Sequence, residues 1–216
     1  MHNPEVPGVE RIGKSRLEAM SDGIFAFAMT LLVITIAIPE VPWDQAPELL
    51  PAEIAGLHSQ FLLFVIAFFI LAAYWMSHHR ILSRVEFVDG ILIRINILVL
   101  FFIVLIPFTT SLSGDYTNVL EAVLLFHVNL LLASLSLTAM WAYIYRHSAK
   151  LAPTMAPPVK RGIERALVMP LVILCAIGVS FVDTYASMWC YALLPLVLFL
   201  AEFAVNKNRR RTEKDV

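Results

Sequence analysis

Charge is scarce in this chain: Asp, Glu, Lys and Arg make up 15% of 216 residues, where soluble domains run near a quarter. With 59% of residues hydrophobic and a mean hydropathy of +0.77, there is too little polar surface to cover a globule in water, which excludes an ordinary soluble domain. The formal net charge of −1 leaves no global basic footprint, so no nucleic-acid partner is expected. Cysteine is nearly absent. Cys175 and Cys190 both lie in apolar runs, without the spacing or companions of a zinc site. No secretory signal pattern opens the chain: the first residues are polar, and the apolar run from Gly23 to Pro39 continues into more membrane-like sequence, so it is expected to be a retained helix. A Thr-Val-Gly-Tyr-Gly loop is missing, as is any nucleophile–base pair or set of metal ligands deep in an apolar segment. No enzymatic activity and no cofactor are therefore expected.

What the chain does have is long apolar windows. A spanning helix needs about 20 mostly apolar residues, and six windows qualify: Leu17–Ile38, Leu57–Met76, Gly90–Leu112, Val119–Tyr145, Glu164–Val182 and Ala186–Val205. A Pro-rich acidic loop with Glu40, Asp44, Glu48 and Glu53 joins the first two windows, and a basic Pro-rich loop joins the fourth and fifth. The basic residues alternate between loops. The N-terminal tail, the second-to-third connection with the start of the third helix, the fourth-to-fifth region and the C-terminal tail hold all 16 Lys and Arg; the stretches 39–56, 113–118 and 183–185 hold none. By the positive-inside rule both termini are cytosolic and the helix count is even. The expected fold is an all-α membrane protein with six transmembrane helices, a single domain over residues 1–216 with short cytosolic tails at about 1–15 and 206–216. Trp43, Trp75, Trp141 and Trp189 fall near predicted helix ends, where interfacial aromatic belts form. The Arg209-Arg210-Arg211 cluster reads as a stop-transfer and lipid-headgroup anchor.

The first helix carries the most information. Asp22 lies near its start beside Arg16 and Ser21, and an ionisable group in a membrane helix is either functional or an interfacial residue reaching water. On a wheel of about 100° per residue, Phe27, Thr30, Leu31 and Ile34 share an arc of roughly 100°, and Asp22 points about 140° from Phe27. One face is thus apolar with a single hydroxyl. By itself, such a stripe is more often an ordinary helix-packing surface.

The opening Arg16, Ser21, Asp22, Gly23, running into Thr30-Leu31-Leu32, with His78-His79-Arg80 after the second helix and Asn96 and Pro107-Phe108 in the third, resembles the signature of the lysosomal and prokaryotic potassium channel family, whose members lack the usual filter loop. The resemblance covers the first three helices well and the last three only by hydropathy. It implies a homotetramer of six-helix subunits in a cell membrane, most simply a prokaryotic plasma membrane, passing potassium ions through a central pore lined by the first helix. Carried over by motif, Phe27, Leu31 and Ile34 are apolar constrictions and Thr30 a hydroxyl ring, with no resident metal beyond potassium in transit. The resemblance also implies a structural polar network of Arg16, Ser21 and Asp22 with His78 or His79 and Asn96. The chain departs from the family pattern at Phe27, commonly aliphatic, at Arg94, often Trp, and at Met20, usually Phe. Arg94 is expected to rewire the network or to pair with Asp22 or Asp89.

Two other readings of the same residues stand beside this one. His78 and His79 as metal ligands meet the objection that adjacent helical residues point about 100° apart. A proton-coupled cation transporter using Asp22 and His78 is the alternative function. Transporters tend to show repeats with broken helices, and here Pro107, Gly178 and Pro195 have no matching halves. The acidic loop either concentrates cations at the outer mouth or is simply solvated. His127, Asn129 and Ser134 in the fourth helix are expected to be hydrogen-bonded helix contacts. Partners are thus potassium ions, membrane lipid and further copies of the chain.

Overall fold

A computed structural model describes residues 13–153 and 161–193, without the side chains of 161–165, 192 and 193. The elements are α1 (Lys14–Ile34), α2 (Ala46–Gly56), α3 (His58–Leu82), α4 (Gly90–Asp115), α5 (Leu120–Arg146), α6 (Ser148–Leu151), α7 (Arg161–Ser180) and α8 (Thr184–Trp189), followed by a 3₁₀ turn over Cys190–Leu193. No strand is present among the described residues. Four helices, α1, α3, α4 and α5, are 21 to 27 residues long and apolar enough to span a bilayer. At 1.5 Å per residue these lengths exceed a hydrocarbon core of about 30 Å.

These four coincide with the first four expected windows to within one or two turns. The fifth window appears as α7, whose described apolar part is Ala166–Ser180. The sixth begins as α8 and the 3₁₀ turn, and its remainder lies outside the described residues. The acidic segment read as a loop contains a helix, α2. Pro47 sits in its first turn, where the missing N–H costs nothing. No residue of α2 is buried.

Helix ends follow local chemistry. Thr35 closes α1 by donating its hydroxyl to Leu32 O at 2.7 Å, and Pro39 forbids continuation soon after. Asp89 caps α4 by accepting from Leu92 N at 3.0 Å, and Asp183 caps α8 by accepting from Ala186 N at 3.0 Å; each satisfies one of the free N–H groups of a helix start. Pro107 removes one backbone bond inside α4. Nearby, Asn129 Nδ2 of α5 donates to Phe102 O at 3.2 Å, and the Thr110 hydroxyl donates to Ile106 O at 2.7 Å. These side chains serve carbonyls around the break where membrane lipid offers no donors.

α4 is the central element, packed against α1, α3 and α5, with α7 on the far side of α5. Leu92, Val99, Ile103 and Ile106 of α4, Leu63, Ala67 and Leu71 of α3, and Val123, Phe126 and Leu130 of α5 are buried between them. Tyr74 of α3 donates its hydroxyl to Leu130 O of α5 at 2.8 Å. His127 is wholly buried between the hydroxyls of Tyr191 at 2.6 Å and Ser187 at 3.0 Å. It packs as a satisfied polar group, as expected.

The two ends of the bundle differ. At the basic end, Glu86 N and Phe87 N both donate to Leu151 O, at 2.8 and 3.0 Å, and Arg84 lies 5.6 Å from the Trp141 ring centre, a cation–π contact. Asp89 also accepts from the Tyr143 hydroxyl at 2.8 Å and from Lys150 Nζ at 3.0 Å. Partial burial pushes its carboxyl up, but the Leu92 N–H, the Tyr143 hydroxyl and the Lys150 ammonium outweigh it and hold the pKa down at about 2. At the opposite, acidic end, Gln60 of α3 reaches both the segment after α1 and the end of α4.

Candidate functional site: the first helix and its polar anchor

α1 has two unlike faces. Leu17, Ser21, Phe25, Ala28 and Leu32 are buried, spaced by three and four residues so that they form one stripe against α3 and α4. On the other side Phe27 is 64% and Ile34 74% exposed. Thr30 is exposed with them, and Leu31 is half-buried at the boundary. The four residues that share an arc on the wheel therefore lie away from the subunit's own core. The Thr30 hydroxyl donates to Phe27 O at 2.8 Å. That spends its only proton on the backbone and leaves the oxygen lone pairs free to accept.

Behind this helix is a buried polar relay. His78 Nε2 is 2.6 Å from Asn96 Oδ1, and Asn96 Nδ2 donates to Ser21 Oγ at 3.1 Å. Ser21 in turn donates to Leu17 O at 2.8 Å. Because Asn96 Oδ1 is an acceptor, the His78 nitrogen must carry the proton, and every link runs in one direction. All three side chains are 1% exposed or less. Phe25 packs on the imidazole, ring centres 5.4 Å apart. One residue from each of α1, α3 and α4 is thereby joined in a surrounding of low dielectric, where a satisfied network is strong.

Of the six residues expected in the network, the structure brings together Ser21, His78 and Asn96. Asp22 is exposed and accepts instead from Trp75 Nε1 at 2.9 Å. His79 is exposed and lies over Trp75, ring centres 6.0 Å apart. Arg16 is exposed, with no side-chain bond among the described residues. The wheel explains the division: Ser21 and Asp22, like His78 and His79, are neighbours about 100° apart, so only one of each pair can face the α1–α3–α4 seam. Trp75, assigned to an interfacial belt, is the partner that sequence reasoning missed. Its only cue was that an indole N–H near the interface needs an acceptor. Arg94 pairs with neither Asp22 nor Asp89; its Nε donates to Gly90 O one turn back at 3.2 Å. The divergence of His78 and His79 removes them as joint metal ligands, and no group of three or more His, Cys, Asp or Glu side chains suited to a metal occurs among the described residues.

Residues 16–107, which span α1, α3 and most of α4, match the family model of the endosomal/lysosomal potassium channel TMEM175. A potassium channel of Streptomyces collinus is 27% identical over 188 residues, covering 84% of this chain and 89% of that protein. The human endosomal/lysosomal proton channel TMEM175 is 28% identical over 162 residues, covering 71% of this chain and 32% of that much longer protein. Among solved structures, a lysosomal potassium-selective channel TMEM175 homologue from Chamaesiphon minutus superposes with a TM-score of 0.73 at 25% identity, covering 87% of this chain and 97% of that one. Over residues 16–107 the chain is thus similar to the TMEM175 family, and its helical bundle resembles that of a solved TMEM175 homologue.

Proposed function

We propose that the chain is one subunit of a potassium-selective channel, a homotetramer of six-helix subunits with both termini in the cytosol, set in a prokaryotic plasma membrane. α1 of each copy lines the pore. Phe27, Leu31 and Ile34 form apolar constrictions, and Thr30 forms a ring of oxygens between them. The observation that carries this reading is the exposure of Phe27 and Ile34 together with Thr30 on the face of α1 turned away from its own subunit. A lipid-facing stripe has no use for the hydroxyl. Around a pore axis the same hydroxyl offers lone pairs to a partly dehydrated cation, a replacement that favours the more easily dehydrated potassium over sodium. Narrow apolar rings gate by expelling water. The small residues Ala19, Gly23 and Ala26 are exposed on α1 as well, which permits close approach between copies. The Ser21–Asn96–His78 relay then holds the pore helix against α3 and α4 and takes no part in conduction.

The test is ion flux from liposomes containing the purified full chain. Wild type is expected to pass potassium faster than sodium without a proton gradient. Thr30→Ala is expected to bring the two fluxes toward parity while Thr30→Ser keeps the preference, and Phe27→Ala is expected to raise both. Flux that requires a proton gradient and stops in Asp22→Asn would replace the channel by a proton-coupled transporter. Proton conduction far exceeding potassium flux would overturn the assigned selectivity.

A further inference from the structure

At the acidic end of the bundle, the Gln60 side chain makes a two-sided bridge. Its Oε1 accepts from Ala37 N at 2.8 Å, and its Nε2 donates to Asp115 Oδ1 at 2.9 Å. Ala37 is three residues beyond Ile34, past the end of α1, where the backbone N–H has no helical acceptor. Asp115 is the last residue of α4. A carboxamide suits this place because it accepts on one side and donates on the other; no other uncharged side chain of that length does both with fixed polarity. The helices come close here through Gly114, at which an added Cβ would stand 3.4 Å from Gln60 Cγ and 3.5 Å from its Cα. The site is thus built by α1, α3 and α4 together, at the opposite end from the Ser21–Asn96–His78 relay.

We propose that Gln60 is a positioning residue for permeation: it fixes the exit of α1, and with it the Ile34 constriction, by strapping the Ala37 backbone to the end of α4 through Asp115. This rests on the reading of α1 as the pore helix. Glu40, Asp44, Glu48, Glu53, His58, Tyr116 and Glu121 are the other ionisable groups on the adjoining segments at this end, and none of them hydrogen-bonds to Gln60 among the described residues. Among the described residues, the strap therefore depends on one carboxylate only.

That dependence supplies the test, made on the full chain in liposomes with potassium flux read against external pH. Gln60→Ala is expected to lower flux about fivefold, the equilibrium change conferred by one net hydrogen bond. Gln60→Glu sets two carboxylates against each other, which share a proton when acidified; a protonated Glu both accepts from Ala37 N and donates to Asp115. Its flux is therefore expected to match wild type at acidic external pH and to fall to the Gln60→Ala level as pH rises, a step absent from wild type and Gln60→Ala. Gln60→Glu with Asp115→Asn restores a donor to the carboxylate and is expected to regain flux at neutral pH. A wild type that conducts while Gln60→Ala matches it, or a Gln60→Glu profile parallel to wild type, overturns the proposal. A wild type without potassium flux strikes the pore reading itself.

Discussion

Replacing Asn96 by Leu tests the physical account of the anchor most severely. Asn96 is wholly buried and makes both central links of the relay, to His78 at 2.6 Å and to Ser21 at 3.1 Å. Leucine has the same branching and number of side-chain heavy atoms, so no cavity is created and the effect is chiefly polar. Ser21 keeps its proton bonded to Leu17 O, but the His78 Nε2–H is stranded in a site that is 1% exposed. A buried donor without a partner costs about 1–3 kcal/mol, so Asn96→Leu is expected to destabilise the protein by about 2 kcal/mol. His78→Phe removes the other partner and packs against Phe25, leaving Asn96 Oδ1 as the orphan at a similar cost. The double variant has no orphan from this link. Its loss should fall short of the sum of the singles by at least about 1 kcal/mol, against an average of about 0.6 and a maximum of about 1.7 for couplings between membrane helices. Reversible unfolding in mixed detergent micelles, followed by tryptophan fluorescence, supplies all four corners of the cycle. Strict additivity, or a neutral Asn96→Leu, would refute the claim that this relay clamps the three helices.

Two further predictions concern the helix ends. Asp89 is held near pKa 2, below its ordinary 3.8, so its contribution is complete at neutral pH and is lost as pH falls from about 4 toward 2. Asp89→Ala is expected to cost about 1–2 kcal/mol at pH 7, from the lost cap and side-chain bonds, and to flatten the stability profile over that acid window. Trp75→Phe takes from Asp22 its only side-chain donor among the described residues. Because both residues are exposed, the cost is expected to be under about 1 kcal/mol, read by the same unfolding assay; a loss of several kcal/mol would show that Asp22 belongs to the buried anchor after all.

Residues within one helix were legible in advance because periodicity is local. The 3.6-residue repeat alone placed Phe27, Thr30, Leu31 and Ile34 on one side of α1, and the structure leaves that side away from the subunit core. Hydropathy marked the four long helices, because a bilayer demands a minimum apolar length. Partner choice across helices was not legible. That Asp22 meets Trp75 and not Asn96, that Arg94 turns back on Gly90 O, and that Gln60 bridges residues 37 and 115 depend on the rotation and depth of α1, α3 and α4 relative to one another. Side-chain bonds form only within about 3 Å, while a rotation of one residue about a helix axis moves a side chain by about 100°. Composition and periodicity therefore determined that this is a helical membrane protein and which face of α1 stands apart. Only the packing of three helices decided which polar groups found one another.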